Sequence, residues 1–234
     1  MRRFLLIFIL SMWAWGAQAQ DEPECPPVAE GAVPLGFYVG GGDVAIARKD
    51  FTGAIFLYTC ALEADPDFAP VYVSRAYAYS ELLDIERAQA DFDEAVRLDE
   101  NNVSIYVNRG AFYATQGNFG LAINDLTLAL ALDSQNLIAL NNRAVVHAIE
   151  GNYDLALEDI AAALAIDDTY PATYATQAAI YSGMAAASYQ QFVAVSGANP
   201  RLPAGTPSEV LSRIDGSLRT GDFGVWLALL VPAN

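Results

Sequence analysis

A constant repeat spacing is the feature that most constrains how this chain can fold. Small residues recur every 34 positions, first at Ala76, Gly110 and Ala144, then at Ala88, Ala122 and Ala156, and again at Ala95, Ala129 and Ala163. Such a period is typical of stacked helical hairpins, because one hairpin cannot bury its apolar face alone. The sequence therefore predicts three units, at 69–102, 103–136 and 137–170, in which these nine residues form the packing contacts.

The middle unit illustrates how each repeat is expected to fold. Tyr106, Gly110 and Tyr113 lie at positions i, i+4 and i+7, which places them on one face of a first helix. Gly117 then favours the end of that helix. Antiparallel helices approach to about 8–10 Å where their side chains are small, so we expect Gly110 to contact Ala122 of the second helix.

The residues of this unit resemble a tetratricopeptide repeat, and the two neighbouring units are similar to it. The resemblance rests on Gly110, Tyr113, Gly117, Phe119, Ala122, Leu126, Ala129 and Leu130. It implies an all-α fold, a right-handed superhelical solenoid of antiparallel helix pairs. The resemblance extends more weakly to a degenerate unit at 43–68, whose first helix we expect to be short, and to another at 171–204.

The two ends of the chain differ from the repeats. Residues 1–19 have a basic start, a short apolar run and a final Ala-x-Ala, which predict a secretory signal peptide, with an uncleaved anchor as the alternative. Residues 20–42 form a leader rich in Pro and Gly that we expect to be poorly helical. At 205–234 a helix start at Thr206 predicts a C-terminal capping helix, followed by an apolar tail.

A secretory signal would place the mature chain in the periplasm or outside the cell. An oxidising compartment permits a disulfide between the two cysteines, Cys25 and Cys60, which would tie the leader to the first helical pair. The sequence alone leaves open whether this bond forms.

Charge and motifs together limit the classes of function. The formal net charge is −16, and such an acidic chain repels phosphate backbones, so nucleic acid is an unsuitable partner. The sequence contains no phosphate-binding loop, no Gly-x-Ser-x-Gly elbow and no paired Cys and His ligands. The single histidine, His147, takes a position that is Tyr in the sister units, so we expect it to fill a core position. We therefore predict no enzymatic activity, catalytic residue, metal or cofactor.

Charged residues also recur at the repeat spacing, with arginines at Arg75, Arg109 and Arg143 and aspartates at Asp91, Asp125 and Asp159. A row of arginines could bind an acidic ligand, or each arginine could brace its own aspartate. The equal numbers at a fixed offset favour the ladder of ion pairs. A separate acidic cluster between Glu81 and Glu94 is expected to be a solvated face, with a dock for a basic partner as the alternative.

The family resemblance implies a concave groove lined by the first helix of each unit. The expected lining is Val73, Ser74, Tyr77, Val107, Asn108, Ala111, Asn141, Asn142 and Val145. These residues are uncharged, whereas family members that hold a C-terminal carboxylate use Lys and Arg in this groove, so such a clamp is not expected. Asn108 and Asn141 could instead bond the backbone of an extended segment or a helix from a protein partner.

The sequence therefore predicts an exported, non-enzymatic protein-interaction module or scaffold. The alternative is a structural subunit of a cell-envelope complex, held through the C-terminal segment at 223–231. The sequence does not indicate an oligomeric state.

Overall fold

The computed structural model of this protein describes residues 24–27 and 34–196. Within these residues the chain is all-α. Its nine helices are α1 (Pro34–Ala47), α2 (Phe51–Ala64), α3 (Ala69–Glu81), α4 (Ile85–Leu98), α5 (Val103–Thr115), α6 (Phe119–Leu132), α7 (Leu137–Ile149), α8 (Tyr153–Ile166) and α9 (Pro171–Ser196). The signal peptide predicted at 1–19 and the capping helix and tail predicted at 205–234 lie outside the described residues.

Consecutive helices pair into four hairpins that stack into a solenoid. We call α1–α2 the first unit, α3–α4 the second, α5–α6 the third and α7–α8 the fourth, and α9 packs on the last of them. The first helices of neighbouring units also touch, α3 with α5 and α5 with α7. One face of the stack is therefore built from first helices.

The nine small residues that recur at the repeat spacing are all buried. Gly110 illustrates why size matters at these positions. A Cβ atom on this residue would lie 2.9 Å from Cγ of Leu126 and 3.3 Å from the carbonyl oxygen of Ala122. The two helices of the third unit are thus in contact through Gly110, as the spacing predicts.

The turn inside each hairpin has one residue in the left-handed region. This residue recurs once in every repeat, as Lys49 (φ 60°), Leu83 (φ 60°), Gly117 (φ 74°) and Gly151 (φ 79°). The next backbone N–H then donates to a carbonyl five residues before it, for example from Asn118 to Tyr113 at 2.9 Å. This bond satisfies a carbonyl group at the end of the first helix and stops the helix there.

The prediction of a poorly helical leader up to residue 42, with a short first helix after it, is wrong. Helix α1 begins at Pro34 and runs to Ala47, through Gly36 and the three consecutive glycines at 40–42. Gly42 lies one repeat period before Ala76, so it occupies the small packing position of the first unit. A Cβ atom on Gly42 would overlap the ring of Tyr58 in α2. Tertiary packing therefore requires the glycine and overrides its low helix propensity.

The prediction of a degenerate helix pair at 171–204 is also wrong for the described part of that range. Helix α9 is continuous over 26 residues, from Pro171 to Ser196, with no turn inside it. The sister units turn at Gly117 and Gly151, but the equivalent position here is Ala185. Alanine is the best helix former and avoids the left-handed region, so the helix continues.

Candidate functional site

A cavity of about 570 Å³ lies between the first helices of the first three units. Its lining comprises Asp43, Ile46, Tyr58, Val73, Ser74, Tyr77, Ser80, Glu81, Phe92, Asn108, Ala111, Phe112 and Thr115. The rings of Tyr58, Phe92 and Phe112 are buried, whereas Tyr77 is 41% exposed. The cavity therefore has an apolar aromatic floor and an accessible edge.

Two carboxylates stand at this cavity, Asp43 of α1 and Glu81 at the end of α3, and both residues are exposed. The hydroxyl of Tyr58 donates to Oδ1 of Asp43 at 2.8 Å. Burial, followed by this hydrogen bond and the charge of Asp43, raises the pKa of Tyr58 above its usual range. Burial likewise raises the pKa of Tyr77, and the charge of Glu81 and a hydrogen bond to it add to that effect. Both phenols are thus neutral donors at physiological pH.

Five of the nine residues predicted to line the groove do line this cavity: Val73, Ser74, Tyr77, Asn108 and Ala111. The other four do not. Val107, Asn141, Asn142 and Val145 have no exposed surface, so the prediction that they present a binding surface is wrong.

The burial of these four residues follows from how first helices pack on one another. The side-chain Nδ2 of Asn141 donates to the carbonyl of Leu137 at 2.8 Å and to Oγ1 of Thr173 in α9 at 3.0 Å. Val107, at the same position of the preceding repeat, belongs to a core cluster that also contains Ala139 of α7. This register position faces the next first helix. Asn142 and Val145 lie on α7, which is enclosed by α5, α6, α8 and the long α9.

Sequence reasoning missed the aromatic floor and the two carboxylates. Tyr58 and Phe92 occupy one position of two successive repeats, on second helices, and the spacing marks them only as core residues. Asp43 was missed because α1 was expected to be short. Its position, directly after Gly42, becomes informative only when Gly42 is aligned with Ala76.

The repeated arginines and aspartates form the ion-pair ladder that the sequence favoured. Each arginine donates through Nε and Nη2 to both carboxylate oxygens of its own unit, at distances of 2.7–2.9 Å. The remaining Nη1 donates to a side chain of the preceding unit. These acceptors are Thr59 for Arg75, Asp93 for Arg109 and Thr127 for Arg143.

The charged forms of Arg75 and Arg109 are stable despite their burial. Burial alone would lower the pKa of Arg109, but the hydrogen bonds and charge of Asp125 outweigh it and raise the pKa. The same balance, with Asp91 as the partner, raises the pKa of Arg75. The ladder holds the stack together and does not present its arginines to an acidic ligand.

Comparison with known proteins agrees with this geometry. The model of the tetratricopeptide repeat family matches residues 73–136 and 113–171. Residues 73–171 of this chain are tetratricopeptide repeats. Its fold is similar to that of PilF from Pseudomonas aeruginosa, with 18% identity, a TM-score of 0.59, and coverage of 84% of this chain and 88% of PilF. It is also similar to the fold of MamA, with 20% identity, a TM-score of 0.54, and coverage of 81% of this chain and 93% of MamA.

The leader of this protein is bonded to the helical array. Cys25 and Cys60 form a disulfide, and Cys60 is buried in α2. The hydroxyl of Tyr38 in α1 donates to the carbonyl of Pro26 at 2.7 Å. Residues 24–27 thus lie against both helices of the first unit.

The single histidine of the tetratricopeptide array, His147, is partly buried at the end of α7. Burial lowers the pKa of His147. The charges of Asp159 and Glu150 raise this pKa and that of Arg143 lowers it, and the net shift is downward. Its Nδ1 atom is buried and has no hydrogen-bond partner among the described residues. It does not line the cavity between α1, α3 and α5.

The helices within residues 34–196 do not include a candidate membrane span. None of them combines the length and the apolar character that crossing a bilayer requires.

Proposed function

We propose that this protein is an exported, non-enzymatic interaction module that holds a segment of a protein partner in the cavity between α1, α3 and α5. The observation that carries the proposal is the cavity itself. It is formed by first helices of three successive units, and its floor consists of buried aromatic rings beside the accessible ring of Tyr77.

The size and chemistry of this cavity suit anchoring side chains. Binding pockets commonly measure about 300–1,000 Å³ and combine apolar walls with a few polar groups. Here the polar groups include the hydroxyls of Ser74, Ser80 and Thr115. A hydroxyl can donate or accept, so these residues suit the backbone of an extended segment or the polar edge of a helix.

Export to the periplasm or the cell exterior is the second part of the proposal. Two observations support it: the secretory pattern of residues 1–19 and the disulfide between Cys25 and Cys60. Disulfides persist in oxidising compartments and are rare in reducing ones. Fractionation of cells that produce a C-terminally tagged chain should place it outside the cytoplasm, in an oxidised form. Recovery of reduced chain from the cytoplasm alone would contradict the proposal.

The binding proposal is tested by filling the cavity. We would select a displayed library of random peptides on the full chain and then repeat the measurement with Ala111→Trp. Ala111 lines the cavity and is only partly buried, so the added ring should enter the open space and abolish peptide binding.

The matched control is Ala131→Trp, because Ala131 is exposed on α6 and does not line the cavity. Both variants should keep the helical circular dichroism of the wild type. Selected peptides that bind the Ala111→Trp variant as tightly as the wild type would refute the assignment of the cavity as the binding site.

A further inference from the structure

The charge of the cavity is one-sided. Asp43 and Glu81 belong to its lining, and among the described lining residues there is no Lys or Arg. Neither carboxylate has an arginine as an ion-pair partner among the described salt bridges, which involve Asp84, Asp91, Asp93, Glu94, Asp125 and Asp159 instead. The apolar cavity is thus edged by two carboxylates that form no ion pair with a basic side chain of the described residues.

The ladder arginine of the second unit is not available to neutralise these carboxylates. Arg75 lies on α3 beside Ser74, but its guanidinium donates to both oxygens of Asp91 and to Thr59. Rotating Arg75 into the cavity would leave the carboxylate of Asp91 buried without its partner, which is costly. The ladder therefore keeps Arg75 away from the cavity, and the two carboxylates keep their negative charge there.

The accessible aromatic ring at the edge of the cavity also favours a basic ligand. Tyr77 lies on the same helix as Glu81, and its ring is accessible. A cation over the face of an aromatic ring gains electrostatic attraction, and the long apolar stem of a Lys or Arg packs well against such rings. An acidic group in this place would be repelled by the two carboxylates that line the same cavity, on a chain of net charge −16.

We propose that the partner segment held by this cavity carries a Lys or Arg side chain, which enters beside Tyr77 and pairs with Asp43 and Glu81. This inference rests on the proposed function of the cavity and specifies the chemistry of its ligand. Apolar residues next to the basic one would contact the floor at Tyr58, Phe92 and Phe112. The site thereby prefers basic segments and rejects a free C-terminal carboxylate.

The test uses the peptides selected on the full chain. Those peptides should be enriched in Lys or Arg compared with the starting library. A synthetic peptide of the best sequence should bind about tenfold more weakly when its basic residue is replaced by norleucine, a change of about 1.4 kcal/mol. The double variant Asp43→Asn, Glu81→Gln should bind both peptides alike, because it keeps the shape of the cavity and removes its charge.

The matched control is Glu86→Gln, Glu158→Gln. These two glutamates are exposed and lie outside the cavity, and their replacement changes the net charge by the same amount. This control should retain the full difference between the two peptides. If it loses that difference as the cavity variant does, then the preference arises from the overall charge and the proposed pairing is wrong.

The remaining outcomes separate the two proposals. Selected peptides without an excess of Lys or Arg, whose binding is nevertheless lost in Ala111→Trp, would overturn the charge inference and leave the binding cavity in place. Failure to select any peptide would overturn both. A synthetic peptide of residues 221–234, which contains no Lys or Arg, provides a third probe. Tighter binding of this probe than of the basic peptides would assign the cavity to the tail of the chain itself and overturn the inference.

Discussion

The first unit and the three units that follow it close the same hairpin with different chemistry. At the positions of the ladder arginine and aspartate, the first unit has Gly41 and Leu57. A Cβ atom on Gly41 would lie 3.2 Å from Cδ1 of Leu57, so an apolar contact takes the place of the ion pair. The first unit also has the disulfide, which joins α2 to the leader. The comparison shows that units with the same hairpin geometry can join their two helices either by an ion pair or by an apolar contact.

Removal of the disulfide should have the largest effect, because it is the covalent part of the first unit. The bond joins residues separated by 35 positions, and a loop of that length restricts the unfolded chain by about 4 kcal/mol. We expect the double variant Cys25→Ala, Cys60→Ala to lose stability of that order in urea unfolding. Reductant should destabilise the wild type and leave the variant unchanged. Equal midpoints for the two proteins would show that the bond does not support the first unit.

Loss of one ladder aspartate should have the next largest effect. Asp125→Ala leaves the largely buried Arg109 without its main partner, which should cost about 3 kcal/mol. The control is Arg97→Ala, which removes an exposed pair with Glu94 and should barely move the unfolding midpoint. Similar losses in the two variants would mean that burial does not distinguish the ladder from surface ion pairs.

The packing position that recurs as Gly42, Ala76, Gly110 and Ala144 is a glycine in the first and third units, so the effect of adding a methyl group can be compared between these two units. Gly42→Ala places a methyl group that overlaps the buried ring of Tyr58, whereas Gly110→Ala places it 2.9 Å from Cγ of Leu126 and 3.3 Å from the carbonyl oxygen of Ala122, a less severe overlap. We expect Gly42→Ala to lose about 2 kcal/mol by overpacking and Gly110→Ala to lose less. Thermal unfolding of both variants measures the difference. The reverse order would indicate that Tyr58 moves more easily than Leu126.

At the left-handed turn position, one substitution should raise the stability of the protein and another should lower it, both by smaller amounts. Leu83 is 80% exposed and has φ near 60°, so Leu83→Gly should remove strain and stabilise the protein by about 0.5–1 kcal/mol. Gly117→Ala meets no steric obstacle but keeps a φ of 74°, so it should destabilise by about 1 kcal/mol. Chemical denaturation tests both, and a destabilising Leu83→Gly would contradict the role given to this turn.

The smallest effect concerns pH. The folded pKa of His147 lies below that of the unfolded chain, so the unfolded state binds more protons in acid. The stability associated with neutral His147 is present above its unfolded pKa of about 6.5 and is lost as the pH falls through the lower, folded value. His147→Tyr, which copies Tyr79 and Tyr113, should therefore lose less stability between neutral and mildly acidic pH. Parallel pH profiles for the two proteins would argue against this effect.

Much of the fold was predictable because the repeat records packing directly. A position that recurs as Ala76, Gly110 and Ala144 tells where two helices touch, independently of the residues around it. The length of the first helix was underestimated because three consecutive glycines have low helix propensity. That propensity belongs to an isolated helix, and contact with Tyr58 outweighs it. The continuous α9 was missed because the repeat was extended past the last turn glycine, Gly151.

The candidate site was less predictable, since it depends on which side chains the neighbouring helices leave open. Tyr77 and Ala111 were identified because the family resemblance places the groove on the first helices, on the face opposite the small packing residues Ala76 and Gly110. Asn141 was misplaced because a polar residue on a first helix was read as accessible, while its partner Thr173 lies in a different unit. A sequence pattern indicates which residues share one face of a helix. Whether that face is exposed depends on the neighbouring helices, as the long α9 shows where it packs on α7.

The third hydrogen bond of each ladder arginine has a mechanical consequence. Through Thr59, Asp93 and Thr127, the arginines link the second, third and fourth units each to the one before it, so separating two adjacent hairpins would break a hydrogen bond of the ladder. In α9 the corresponding residue is Gln177, and this chain of guanidinium links ends at the fourth unit. Among the described residues, guanidinium links therefore couple each of the four hairpins to its neighbour, whereas α9 is attached to the fourth by other contacts.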